Sequence, residues 1–336
     1  MNLIRNSRRH SLGTRSFFVA AFVLSLAVLV LSPSLASKRL QAGSNEPAKI
    51  AVSVNLVLLP VKVTDERGTF DPGLTLEDFR VYEDGQLQTL TVFEEGDTPV
   101  TVGLIVDHSR SMASKLRDVT AAVSSFAHSS NPQDEMFVVD FNDDVSMELM
   151  QGKTFSNDAK DLEAALNAVS ARGRTALYDA VSEGLKHLQD GRWGKKALII
   201  ISDGGDNASH LKYSQVLAQA RQSQSLVYSI ALVGSDSEEE NPSLLRRLCK
   251  DTGGIAYFPR QGESVAKVSL EIARDLREQY TLGYVPQNMK DALAYRKTEV
   301  RVVAPSHGRL HVRARPGYSP AEQKQRVAQT ATPGAR

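Results

Sequence analysis

The chain has 336 residues, room for one large domain and a smaller one. Its 40 basic and 39 acidic residues leave a net charge of +1, so composition gives no argument for a nucleic-acid or other polyanion partner. The single cysteine, Cys249, excludes an intrachain disulfide and a cysteine zinc site, and is expected as a small buried hydrophobe.

At the N-terminus Arg5, Arg8, Arg9 and Arg15 precede the apolar run FFVAAFVLSLAVLVL at 17–31. SPSLAS follows, in which Ser34 and Ala36 suit the small-residue rule of signal peptidase. The apolar run is shorter than the ~20 residues a membrane span needs. Residues 1–36 therefore read as a cleaved signal, with an uncleaved anchor as the alternative, and Arg8-Arg9 resembles a twin-arginine pair. Either way the body of the protein is expected outside the cytoplasm: periplasmic, secreted, or anchored facing outward. Residues 37–49 read as a polar linker.

Residues 50–98 read as the first part of a β domain. VSVNLVLLPVKVTD is apolar and partly alternating, broken by Pro60 as an edge or bulged strand would be. ERGTFDPG carries turn chemistry, and DFRVYEDGQLQTLTVFE predicts two strands joined through Asp84-Gly85.

From 99 to 279 the rhythm changes to alternating strand and helix. VGLIV (102–106) suits a parallel strand buried on both faces, and Leu116, Val119, Val123 and Phe126 recur at helical spacing behind it. MFVVDFNDDVSMELM predicts a hairpin turning at Asn142 to Asp144. Two amphipathic helices follow, one carrying Leu162, Leu166 and Val169, the other Leu177, Val181, Leu185 and Leu188. ALIIIS (197–202), LVYSIALV (226–233) and IAYF (255–258) read as strands, with a helical stretch between the first two. Val265, Val268, Ile272 and Leu276 mark a closing helix. Such alternation predicts a mostly parallel sheet with helices on both faces, an α/β doubly wound arrangement.

Strand patterning returns at 280–318, in QYTLGYVP, RKTEVRVVAP and GRLHVRARPGY. Neither β flank suffices alone, so the two are expected to pair into one small antiparallel domain with the α/β domain inserted. On the last strand the stripe Arg309, His311, Arg313 and Arg315 reads as a solvated outer face. Residues 319–336 read as a polar, disordered tail.

In an open α/β sheet, ligands gather at the carboxyl ends of the strands. Oxygen-bearing residues stand at such places three times: Asp107-x-Ser109-x-Ser111 after GLIV, Thr175 in RGRTALYDA, and Asp203 in IISDGGDN. Singly, each has an ordinary reading as a helix cap or plain turn. Converging, two carboxylates and three hydroxyls form an all-oxygen shell suited to Mg²⁺, with Mn²⁺ or Ca²⁺ as alternatives. Asp203 is expected at a solvent-facing strand end. Asp206 and Asn207 read as solvated loop residues rather than supports of the site, and His108 as pointing outward.

The order D-x-S-x-S, then T, then D-G resembles the metal-ion-dependent adhesion site of von Willebrand factor type A domains, and no core position of that motif is missing. The flanks, VKVTDERG…LTLEDFRVYEDGQLQTLTVFE, look like the leader of bacterial, notably acidobacterial, VWFA-related proteins. The resemblance implies a Rossmann-like fold in which Ser109, Ser111 and Thr175 bind the metal directly or nearly so. Asp107 and Asp203 would act largely through water. It implies a binding or adhesion module, not an enzyme, that captures a partner protein through an Asp or Glu carboxylate completing the metal shell. Two rival classes stand beside it: a cell-envelope scaffold without metal-dependent binding, and a Mg²⁺-dependent hydrolase. Against the hydrolase, the chain has no phosphate-cradling G-x-x-x-x-G-K-[ST] loop and no G-x-S-x-G elbow. A membrane contact is expected only if the N-terminal segment is retained as an anchor.

Overall fold

The computed structural model describes residues 56–147, 149, 152–232, 241–260, 263–287 and 294–320. The expected signal or anchor, the linker and the tail beyond 320 lie outside the described residues. In β1 (Val57–Thr64), Val57, Leu59, Val61 and Val63 point inward. Pro60 does not break this strand, because it sits where β1 is paired on one side only, so its missing N–H costs no ladder bond. β2 (Phe79–Glu83) turns into β3 (Gln86–Leu87) through Asp84 and Gly85, both at positive φ (48° and 80°), as a tight hairpin demands. The expected second strand proves to be two: after Gln88 the chain leaves this hairpin, and β4 (Leu90–Glu95) joins a different sheet.

The α/β domain follows. Its strands are β5 (Val100–Asp107), β6 (Glu135–Phe141), β7 (Val145–Ser146), β8 (Lys195–Ser202), β9 (Leu226–Ala231) and β10 (Ala256–Tyr257). Its helices are α1 (Leu116–Ser129), α2 (Ala159–Asn167), α3 (Leu177–His187), α4 (Tyr213–Ser223), α5 (Pro242–Thr252) and α6 (Val265–Arg277). The strand order is β10-β9-β8-β5-β6-β7, parallel throughout except for the β6–β7 hairpin. β5 is central and buried at all eight positions, which is why its sequence is a continuous apolar run rather than an alternating one. Val102, Leu104 and Val106 pack against α1, α2 and α6 on one face, while Ile105 meets α3 on the other. α5 forms where no helix was expected, although its buried residues keep helical spacing. It starts at Pro242, buries Leu245, Leu248 and Cys249, and ends on Gly253 in the left-handed region (φ 88°). Burial pushes the Cys249 thiol up to about 12, as befits a small core hydrophobe rather than a nucleophile.

The C-terminal flank supplies β11 (Tyr280–Tyr284), β12 (Arg296–Val302), β13 (His311–Arg313) and β14 (Gly317–Tyr318). Two four-stranded antiparallel sheets result, β13-β1-β11-β4 and β14-β12-β2-β3, each mixing strands from both flanks. Their shared core holds Leu59, Val61, Phe79, Val81, Tyr280, Leu282 and Tyr284. Within it, buried Glu83 of β2 pairs with Arg296 of β12 at 2.8 Å and accepts from the hydroxyls of Tyr284 (2.7 Å) and Tyr318 (2.8 Å). One N-terminal carboxylate is thus satisfied by three C-terminal strands, so the pairing of flanks is specified by polar chemistry as well as by apolar burial. The fold is a doubly wound α/β domain inserted in antiparallel β structure, as the alternation predicts.

The basic stripe on the last strand needs correcting. Arg309 and His311 are exposed, but Arg315 is buried and Arg313 reaches Asp275 of α6 through Nη2 at 2.7 and 2.6 Å. The strict alternation of 308–318 does not build one strand; the chain passes from β13 in one sheet to β14 in the other, and the outer face is lost between them. Arg315 donates Nε to the Gly317 carbonyl (2.9 Å) and Nη2 to that of Arg221 (3.1 Å), and burial pulls its pKa down to about 10. A Cβ on Gly253 would lie 2.8 Å from the Arg315 nitrogen, so the glycine that ends α5 also admits this segment.

Candidate functional site

β5 ends in Asp107, whose carboxylate is fully buried. The Ser109 amide donates to Oδ1 at 2.8 Å, turning the chain, and the Ser202 hydroxyl donates to Oδ2 at 2.6 Å from the neighbouring strand β8. Burial raises the Asp107 pKa, the bonds from Ser109 and Ser202 pull against it, and the Asp203 charge adds to the rise. From Ser109 the chain of oxygens continues: Ser109 Oγ lies 3.0 Å from Ser111 Oγ, and Ser111 Oγ donates to Asp203 Oδ2 at 2.5 Å. Asp203 Oδ1 accepts from the Gly205 amide at 3.2 Å across a turn that needs Gly204 at φ 86°. Asp107, Ser109, Ser111 and Asp203 thus form one hydrogen-bonded run at the carboxyl edge of β5 and β8, joined by the Ser109 amide at Asp107 and by hydroxyls beyond it.

Thr175 joins this edge through its backbone. Its amide donates to Asn207 Oδ1 at 2.9 Å, and its carbonyl accepts from the amides of Asn207 (2.9 Å) and Ala208 (3.1 Å). Its loop is also tied to the first turn, Arg172 N to His108 O at 2.9 Å and Arg110 N to Gly173 O at 3.4 Å. Asp107, Ser109, Thr175 and Asp203 are buried, while Ser111 is exposed, so the run opens to solvent at Ser111. The expectation that Asp203 faces solvent is therefore wrong: it is only 4% exposed.

Three other residues stand differently from their sequence readings, although Asn207 is exposed as a loop residue was expected to be. His108 points inward, 2% exposed, with Nδ1 3.0 Å from Asp140 Oδ1 on β6. Burial alone would lower its pKa, but the hydrogen bond and charge of Asp140 prevail and raise it. Asn207 holds Thr175, and Asp206 accepts from the Tyr178 amide (3.1 Å) and from Ser209 Oγ (2.5 Å), with burial raising its pKa. α3 has no side-chain cap of its own at Ala176, so Asp206 and Ser209 satisfy its first amides from across the sheet edge. Ser202, which no sequence motif singled out, bonds Asp107 and accepts from the Gly204 amide at 3.0 Å. Its one signal was its position, immediately before Asp203 at the end of an apolar run.

Among the described residues no group of three or more His, Cys, Asp or Glu is placed to hold a metal ion. Any cation here would rest on hydroxyls joined to two carboxylates, an oxygen-only donor set that fits a hard divalent ion and not zinc. The exposed Ser111 hydroxyl and the buried carboxylates behind it match that requirement.

The cluster thus lies at the carboxyl edge of an open α/β sheet, and residues 102–205 match the family model for the von Willebrand factor type A domain. That segment runs from the third residue of β5 through β8 and contains every residue of the oxygen cluster. No curated protein matches the chain. Among solved structures, a von Willebrand factor type A protein from Catenulispora acidiphila is similar at 14% identity, over 70% of this chain and 71% of that one, with a TM-score of 0.48. An aerotolerance-related membrane protein from Bacteroides fragilis is 16% identical over 53% of this chain and 98% of its own, with a TM-score of 0.43. The PilB minor pilin from Streptococcus sanguinis is 14% identical over 55% and 63%, with a TM-score of 0.41. Among the described residues no helix is long and apolar enough to cross a membrane.

Proposed function

We propose that the protein is an extracytoplasmic binding module that holds Mg²⁺ at Ser109, Ser111 and Thr175, with Asp107 and Asp203 setting the negative charge behind them. The connected run Asp203–Ser111–Ser109–Asp107, exposed only at Ser111, is the observation that carries this reading. A bound divalent ion would supply a concentrated positive charge at the surface, matched to an Asp or Glu carboxylate of a partner protein. The chain's own part is to place the hydroxyls, neutralise the ion through the two buried carboxylates, and select the partner through the loops at 108–113 and 203–211. The likeness of the flanks to bacterial VWFA-related proteins and the basic, then apolar, N-terminus support a place in the cell envelope.

One observation favours a second reading, a scaffold that needs no ion. The oxygens of the run already satisfy one another, down to the 2.5 Å bond from Ser111 to Asp203. Calorimetric titration of Mg²⁺ into the wild type and Asp107→Ala separates the two. Saturable binding lost in the variant supports the module, and no heat in either supports the scaffold. Envelope pull-down with and without chelator, read by mass spectrometry, then tests whether a partner depends on the ion.

A further inference from the structure

α3 and α4 are neighbours on one face of the sheet, and the groove between them is lined by polar side chains apart from Leu185. Ser182, Leu185, Lys186 and Gln189 follow at helical spacing on α3 and the turn beyond it; Gln219 and Gln222 do so on α4. Between them runs a groove of about 240 Å³. Ser182 is 1% exposed and lines it, yet its hydroxyl has no hydrogen-bond partner among the described residues; the buried Oε1 of Gln219, on the opposite wall, has none either. Buried polar groups are ordinarily paired, so two open ones facing a shared groove mark a place built for something else to complete.

The lining restricts what that can be. Its one charge, Lys186, is engaged by Glu183 at 3.2 Å on the α3 surface, so no uncompensated cation calls for an anion. No carboxylate lines the groove to hold a metal. An apolar guest would leave Ser182 and Gln219 unpaired, which opposes binding. A neutral group that donates to Gln219 Oε1 and also exchanges a bond with Ser182 completes both, which a ligand hydroxyl can do, and Leu185 offers an apolar wall for a ring face. The groove is smaller than the ~300–1,000 Å³ of drug-sized sites. It also lies roughly 10 Å or more along the helix axis from Thr175, at 1.5 Å per residue, and so is separate from the oxygen cluster.

We propose that the α3–α4 groove is a second binding site, for a neutral, hydroxyl-rich ligand no larger than a single sugar ring. The test uses the full chain and amide-resolved NMR titration with glucose, galactose, N-acetylglucosamine and glycerol, with acetate as a charged control. Saturable shifts at Ser182, Leu185, Gln219 and Gln222 are expected for at least one of the neutral probes. Ser182→Ala and Gln219→Leu should each weaken that binding several-fold to about tenfold, as loss of one hydrogen bond does. In the ligand-free protein Ser182→Ala should leave thermal stability unchanged or raised, because the hydroxyl it removes makes no bond. Failure of every neutral probe to saturate, a response to acetate alone, or shifts that survive both substitutions would overturn the proposal. So would a marked fall in the stability of free Ser182→Ala, which would make the hydroxyl a structural group.

Discussion

The hydroxyl of Ser111 donates to Asp203 at 2.5 Å, joining the turn after β5 to the turn after β8 across 92 positions of sequence. Ser111 is the exposed member of the pair and Asp203 the buried one. A cation arriving at this edge would meet the hydroxyl first and draw on the carboxylate's charge behind it. Ser111→Ala is therefore the most selective probe of the proposed site. It removes two hydrogen bonds, to Asp203 and to Ser109, a cost of about 1–3 kcal/mol to the free protein. The expected result is a thermal midpoint that rises with Mg²⁺ in the wild type and stays flat in the variant. At roughly 100-fold excess over Kd, linkage gives about 2.7 kcal/mol of stabilisation. Equal rises in both proteins would remove Ser111 from the ligand set.

The β flanks are held to the α/β domain by charge as well as by chain continuity. Asp275 of α6 accepts from Arg313 of β13, from the Tyr228 hydroxyl at 2.7 Å, and has Lys62 of β1 at 3.7 Å. Arg313→Ala leaves that buried carboxylate with its main counter-charge gone, and such breaks cost about 3–5 kcal/mol. Solvent around the partly exposed guanidinium puts this case at the low end, about 3 kcal/mol. Urea unfolding of the wild type, Arg313→Ala and the double variant Arg313→Ala/Asp275→Asn checks it. The double variant should recover part of the loss, since it removes the stranded charge.

Lys195, at the start of β8, is buried and donates to the Leu276 carbonyl. Burial pulls its pKa from 10.5 down to about 8, against the opposing charges of Asp134, Asp97, Asp275 and Glu94. The folded-state value is depressed, so between the two the unfolded chain binds more protons. Stability should then rise with pH from about 8 toward 10.5. The slope for one proton reaches about 1.4 kcal/mol per pH unit. Denaturant midpoints measured across that window should climb in the wild type and lose this component in Lys195→Met. Parallel curves would mean that Lys195 keeps an ordinary pKa in the fold.

How much of this was legible in the sequence depends on the range of the interactions involved. The runs GLIV and ALIIIS announced buried parallel strands, because a strand covered on both faces must be apolar at every position. The placing of Asp107 and Asp203 at strand ends followed from where those runs stop. α5 was missed although Leu245, Leu248, Cys249 and Thr252 keep helical spacing, with Arg246, Arg247 and Lys250 on the opposite, exposed face. The inward turn of Arg313 and Arg315 was hidden for another reason: alternation records which residues share a face only while the strand lasts, and here it changes sheets. His108, Ser202 and Asn207 escaped because their partners lie about 30 to 95 positions away, and no local pattern encodes such pairings.

Asn207 offers the last test, since it bears on the proposed site without belonging to its ligand set. Its Oδ1 takes the Thr175 amide and its own amide binds the Thr175 carbonyl, both at 2.9 Å, so it fixes the loop that carries the Thr175 hydroxyl. Groups that orient the ligands of a metal typically change affinity by about 10–100-fold when removed. Asn207→Ala should accordingly weaken Mg²⁺ binding by about tenfold in calorimetry. Asn207→Asp keeps the acceptor for the Thr175 amide and should stay near the wild-type affinity or exceed it, because it adds negative charge near the ion. If Asn207→Ala binds Mg²⁺ as the wild type does, Thr175 is not held in the coordination sphere by this loop. The ion, if bound, would then rest on Ser109, Ser111 and the two aspartates alone.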